Sequence, residues 1–215
     1  MRTEDALTPE GFHACVTAGR SAVERLGPNL KVLVLGELGI GNTTVAAAVS
    51  AALVGGQPRS FVGAGTGATG ALFETKCRVV EDAVARLEGE RRPTEVLRRV
   101  GGRDVVGMFG AIVAALTRRA VVLVDGYVAT AAALAAVALD PRAQAGLVFS
   151  HRSQESAHGR VLAHLGAEPL LDLGLCLGEA SGALAAFPLL EQACALHANM
   201  ATFEAAGVPN REEPA

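Results

Sequence analysis

One strand-to-helix transition constrains this 215-residue chain more than any other feature. The apolar run Lys31-Val32-Leu33-Val34-Leu35 meets the turn Gly36-Glu37-Leu38-Gly39-Ile40-Gly41-Asn42-Thr43-Thr44, and an alanine-rich helical pattern follows over residues 45–53. A glycine-rich turn that opens a helix points backbone N–H groups at one spot, which suits it to holding an anion. Glu37 inside that turn is out of place beside a phosphate, because a carboxylate repels it. Its presence points to a second task, such as moving a proton.

Further apolar runs at 60–62, 120–124 and 146–149 read as strands, with 170–175 as a shorter fifth candidate. Helical patterns lie between them at 43–53, 72–88, 104–118, 129–139, 155–165 and 183–200. An amphipathic helix over 9–26 precedes them, with Thr8 as N-cap and Pro9 at the first helical position. This alternation predicts an α/β fold: a Rossmann-like parallel sheet flanked by helices, with extra N- and C-terminal helices. Half of the residues are hydrophobic, and their alanine, glycine, valine and leucine suit helices packed closely on such a sheet. Residues 1–208 read as one domain and 209–215 as a disordered tail.

The net charge of −3 leaves no electrostatic footprint for nucleic acid. Arg91, Arg92, Arg98 and Arg99 cluster, but Glu88, Glu90 and Glu95 are interspersed among them, as on a solvated helical surface. No apolar stretch reaches the roughly 20 residues of a membrane span. Cys15, Cys77, Cys176 and Cys194 are far apart, which favours reduced thiols, and with the polar start at Met1-Arg2-Thr3 this predicts a soluble cytoplasmic protein. His151, Glu155 and His158 do not match the spacing of a helical metal motif, so no metal is expected.

Gly65-Thr66-Gly67-Ala68-Thr69-Gly70 satisfies G-x-G-x-x-G, but the acidic strand end that dinucleotide binding requires is missing downstream. A nicotinamide-dependent oxidoreductase therefore rests on this turn alone. The turn still suits one phosphate, with Lys76 about two helical turns further on. Asp125, in Val124-Asp125-Gly126-Tyr127, reads either as a helix or turn cap or as a carboxylate aimed into a crevice. Ser153 and the histidines of Ser150-His151-Arg152-Ser153-Gln154-Glu155-Ser156-Ala157-His158 follow a strand and are suited to a sugar phosphate. Leu35-Gly36-Glu37 is echoed by Leu177-Gly178-Glu179, so two glutamates at strand ends are expected to face one crevice.

Together these segments resemble the nicotinate-nucleotide–dimethylbenzimidazole phosphoribosyltransferases of cobamide lower-ligand synthesis. The matching motifs are GELGIGNTT at 36–44, GAGTG at 63–67, Gly101-Gly102 ahead of Asp104, VDGY at 124–127 and SHRSQESAH at 150–158. PLLDLGLCLGEASG at 169–182, Pro188-Leu189-Leu190 and MATFEAAGV at 200–208 complete the set. Cys176 stands where the family usually has an arginine.

The resemblance implies transfer of a 5-phosphoribosyl group from nicotinate mononucleotide to 5,6-dimethylbenzimidazole. It places Glu179 as general base, with Glu37 as a supporting or substitute carboxylate. Gly39, Gly41, Asn42, Gly65, Thr66, Gly67 and Lys76 fall on the phosphate, Asp125 and Ser153 on ribose or phosphate, and Leu177 and Gly178 along the nicotinate. It implies no metal or cofactor, and a homodimer. Full-length members carry a long N-terminal portion, with an Asp-His-Gly segment and residues lining the benzimidazole pocket. This chain is similar to their carboxyl-terminal part. Acceptor binding is accordingly expected to be weaker than donor binding, and a separate N-terminal-region partner is one source of the remaining pocket residues. The alternative reading is a catalytically silent nucleotide-binding module, or a regulatory paralogue that pairs with a full-length enzyme.

Overall fold

A computed structural model of the chain describes residues 1–65 and 67–208. The tail at 209–215 and Thr66 lie outside the described residues. Three of the apolar runs form a parallel sheet of β1 (Val32–Leu35), β2 (Val121–Val124) and β3 (Leu147–Phe149), with β2 in the centre. The register pairs Leu35 with Val124 and Val124 with Phe149. All three strands therefore run out side by side at one edge. Val122, Leu123 and Val124 are fully buried, as a central parallel strand requires.

Among the described residues, eight helices flank the sheet: α1 (Pro9–Arg25), α2 (Asn42–Val54), α3 (Gly70–Ala85), α4 (Pro93–Val100), α5 (Gly102–Thr117), α6 (Tyr127–Leu139), α7 (His158–His164) and α8 (Ser181–Asn199). The expected start of α1 is present, with Thr8 Oγ1 accepting the Gly11 N–H at 3.0 Å. α2 and α6 are alanine-rich and buried almost all round, α2 packing on α3, α4, α5 and α6. A helix that is apolar on every side belongs in a core. α8 differs: it leans on β1 and β2, and only Gly182, Ala183 and Ala186 of it are buried. No helix of the described residues is long and apolar enough to cross a membrane.

Two expected strands are not strands. Ser60 and Phe61 fall in a 3-10 turn, Pro58–Phe61, and Val62 follows it, because Pro58 fixes φ and removes a ladder donor. The buried Phe61 there accepts a hydrogen bond at its carbonyl from Tyr127 Oη at 2.8 Å. Residues 170–175 run beside the extension of β3 but make a single bridge, Leu171 to His151. Gly174, at φ +67°, interrupts the extended run, although Leu175 O still accepts the Gln154 N–H at 3.1 Å.

The arginine cluster is also only partly a solvated surface. α4 buries Val96, Leu97 and Val100, and Arg98 and Arg99 reach back to Asp5 at 2.8 and 3.2 Å. Burial alone would raise the Asp5 carboxyl, but hydrogen bonds from Arg98, Arg99 and Arg86 outweigh it and hold the group below its ordinary value.

α1 lies against α5 at backbone contact. A Cβ at Gly19 would fall 1.9 Å from the Gly107 carbonyl oxygen, whereas one at Gly11 would meet nothing closer than 3.4 Å. Gly19→Ala is expected to lower stability by about 1–3 kcal/mol through overpacking. Gly11→Ala should be neutral or slightly stabilising through helix propensity. Urea unfolding of the two variants checks both, and equal midpoints would show that the contact yields.

Candidate functional site

Because the strand ends are in register, the loops that follow them meet at the edge where parallel sheets bind ligands. Glu37 follows β1, Asp125 follows β2 and His151 follows β3, and with residues 176–179 they enclose a cleft of about 140 Å³. The first glycine turn contributes Glu37, Gly39 and Asn42 to its lining, and the second contributes Gly65. Ser153 enters from beyond β3, and Leu177, Gly178 and Glu179 from the opposite loop. Gly41 and Lys76 line an adjoining pocket that shares Asn42, Thr43 and Gly65 with the cleft. Gly67 lines neither.

The first turn is built around Asn42, the first residue of α2. Its side-chain amide donates to Glu37 and, at 3.0 Å, to Asp104 Oδ2 at the start of α5. Both N–H groups of that side chain therefore hold carboxylates, not a phosphate. Glu37 is half-buried, and burial raises its proton affinity. The Asn42 bond opposes the rise, while the charges of Asp104, Asp125 and Glu179 reinforce it. Glu179, in contrast, is exposed. Of the two glutamates, Glu37 is the one the fold buries.

Lys76 projects from α3 toward the second turn. Its Nζ donates to Gly63 O at 2.6 Å and to Thr43 Oγ1 at 2.8 Å, leaving one N–H. Burial lowers its pKa, and the Glu155 charge partly restores it. A half-buried ammonium with a further donor beside a glycine turn is suited to one phosphate.

Asp125 is a helix cap, but of a helix that begins far along the chain. Its carboxylate accepts Ala180 N–H at 3.2 Å and Ala183 N–H at 3.0 Å, at the start of α8. No side chain of its own caps that helix. Glu179 and Ala180 both adopt positive φ, 57° and 64°, a conformation costly for side-chain residues and found where surroundings over-determine it. The surroundings here are Asp125 above and Gly36 below: a Cβ at Gly36 would fall 2.3 Å from Ala180 N. The loop bearing Glu179 thus sits directly on the loop bearing Glu37. Asp125 thus caps α8 while also lining the cleft.

The histidines are tied into the scaffold. His158 Nδ1 accepts the Ser153 N–H at 2.9 Å, which leaves Nε2–H to donate to Thr130 Oγ1 at 2.9 Å. His151 Nδ1 lies 3.2 Å from Ser150 Oγ and 3.6 Å from Asp125 Oδ1. Burial pushes the His151 pKa down and Asp125 opposes it. Burial, then the charges of His151 and Arg152, push His158 down to about 3. Sequence assigned no site role to Asp104 or Thr43. Asp104 opens a helix after a glycine pair, but nothing local says it meets Asn42.

A family model described as Phosphoribosyltransferase matches residues 1–208. The nicotinate-nucleotide–dimethylbenzimidazole phosphoribosyltransferase of Bradyrhizobium sp. (strain ORS 278) is 50% identical over 212 residues, covering 97% of this chain and 60% of the relative. That of Brucella abortus (strain S19) is 45% identical over 207 residues, covering 96% and 60%. The crystal structure of CobT from Thermus thermophilus superimposes with a TM-score of 0.91 at 40% identity, over 98% of this chain and 63% of that one. The chain belongs to this phosphoribosyltransferase family, as its motifs imply, and spans about 60% of the length of the curated relatives it matches.

Two outcomes follow from the site's scaffold. Asp125→Ala removes the cap and orphans buried amides, so stability should fall by about 2–4 kcal/mol, with faster amide exchange at Ala180 and Ala183. Unchanged exchange there would show that α8 holds itself. His158 is neutral in the fold and its pKa lies below the unfolded value, so its contribution is complete above about pH 6.5. That contribution is lost as pH falls toward about 3, by at most about 1.4 kcal/mol per unit. Urea midpoints at about pH 7.5 and about pH 5, on either side of the unfolded histidine pKa, should diverge less for His158→Gln than for the wild type.

Proposed function

We propose that this cleft transfers the 5-phosphoribosyl group of nicotinate mononucleotide to 5,6-dimethylbenzimidazole, releasing nicotinate and forming α-ribazole phosphate. The observation that carries the reading is the meeting, in one cleft and the pocket adjoining it, of the Glu37 and Glu179 carboxylates with a glycine turn and a half-buried lysine. The chemistry requires these groups. The nicotinate nitrogen of the donor is cationic, so it leaves with the bonding pair and needs no proton. The benzimidazole nitrogen attacks the anomeric carbon from the opposite face, inverting it, and must lose its proton.

Glu179 takes that proton as general base. Glu37, whose proton affinity burial raises, stands on the adjacent loop as its support or substitute. Lys76, with backbone donors of the Gly63–Gly65 turn, anchors the phosphate, which fixes the ribose while its C1 becomes oxocarbenium-like. Leu177 and Gly178 flank the nicotinate. The carboxylate-rich part of the cleft favours the cationic pyridinium, and the lysine favours the phosphate. The same reading carries a homodimer working in the cytoplasm.

Two measurements test it. Titration calorimetry should give tighter binding for nicotinate mononucleotide than for nicotinate, and equal affinity would remove the phosphate anchor. Glu179→Gln preserves shape but not basicity, so turnover should fall by roughly 10²–10⁴ with nucleotide affinity and Tm near wild type. Because Glu37 can substitute, Glu37→Gln combined with Glu179→Gln should fall further. A double variant that still makes α-ribazole phosphate at the wild-type rate would exclude both carboxylates as the base.

A further inference from the structure

One acid on the cleft has no task in that mechanism. Glu155 lies in the bend between β3 and α7 and lines the cleft with Thr43, Gly65 and Ser153. Its Oε2 is buried and has no hydrogen-bond partner among the described residues, an uncommon state for a carboxylate oxygen, because desolvation without a bond is costly. The backbone that carries it is fixed: Glu155 N–H donates to Ser153 Oγ at 3.2 Å, and its carbonyl accepts the His158 N–H at 2.9 Å. The carboxylate lies against the second glycine turn. A Cβ at Gly63 would fall 1.7 Å from Oε2, so only glycine leaves it room.

The same Gly63 accepts the Lys76 ammonium at its carbonyl. Acid and base thus flank one turn, near enough that the Glu155 charge acts on Lys76. A carboxylate beside a phosphate anchor weakens anion binding by repulsion unless it makes a bond of its own to the ligand. It can only accept, so it needs a donor. A ribose phosphate offers both partners, an anionic end and hydroxyl donors a few ångströms away. The terminal torsion of a glutamate is soft, so a small rotation brings the buried oxygen to the cleft.

We propose that Glu155 accepts a ribose hydroxyl while Lys76 holds the phosphate, so that the cleft selects ribosyl over deoxyribosyl nucleotides. This rests on the functional reading above. The test is calorimetry of the wild-type chain and Glu155→Gln with nicotinate mononucleotide and its 2′-deoxy and 3′-deoxy analogues. A hydrogen bond to a charged group corresponds to about tenfold or more in affinity. Glu155→Gln should therefore weaken the ribose nucleotide by at least that factor relative to one deoxy analogue, which, freed of the repulsion, should bind the variant at least as tightly as the wild type. If the variant shifts all three ligands equally, in either direction, Glu155 is only a counter-charge to Lys76; the assignment then fails while the functional reading stands. Wild-type indifference to both hydroxyls overturns the assignment independently of any variant. If the wild type binds none of the three, the functional reading fails and this assignment with it.

Discussion

The carboxylate of Asp125 is the contact on which the rest of the site depends. It is almost completely buried, and a buried charge persists only when its lone pairs are matched. Two amides of α8 and the edge of His151 match them. Without that bond α8 has little to hold it, since only three small residues of it are fully buried, with Phe187 and Leu190 partly so. The 177–180 loop hangs from that helix, so the position of Glu179 is set by a residue at the end of a central strand. Rigid placement comes from the sheet, and the exposed loop inherits it.

Two glutamates with similar sequence settings end in different electrostatic ones. Glu37 is half-buried, bonded to Asn42 and surrounded by three further acids, whereas Glu179 is exposed at the mouth. The charge of Glu179 adds to the burial that raises the proton affinity of Glu37. Lys76 is the counterweight on the adjoining turn. The result is a polarised cleft, suited to a ligand that is cationic at one end and anionic at the other.

The sheet was legible because its strands are continuous apolar runs bounded by glycine and aspartate, and the in-register ends follow from parallel pairing. What failed to read as expected was decided by single residues. Pro58 converts a short apolar run into a 3-10 turn, and Gly174 interrupts an extended run after one bridge. α4 was hidden because its charges read as solvated while Arg98 and Arg99 in fact reach Asp5, more than 90 positions away. In the site, the positions of the carboxylates were legible and their partners were not. Asn42 reads as a phosphate donor by its place in the turn, and only the fold reveals that Glu37 and Asp104 already occupy it. Glu155 reads in sequence only as a failed metal motif with His151 and His158, because its meaning lies in a bond it does not make.

The glycines of the two main motifs also change meaning once folded. From sequence they read as a way of exposing backbone N–H groups to an anion. Gly36 serves a different purpose: it lets the backbone at Ala180 lie where a Cβ would be. Gly182 does the same for His151, whose Nδ1 would be 1.9 Å from a Cβ there. One glycine from each glutamate-bearing motif is therefore a contact surface between loops far apart in sequence. Close approach at these points brings the two carboxylates to one cleft, and a methyl group at either would push them apart. The motif is read best as a joint between two carboxylate-bearing loops.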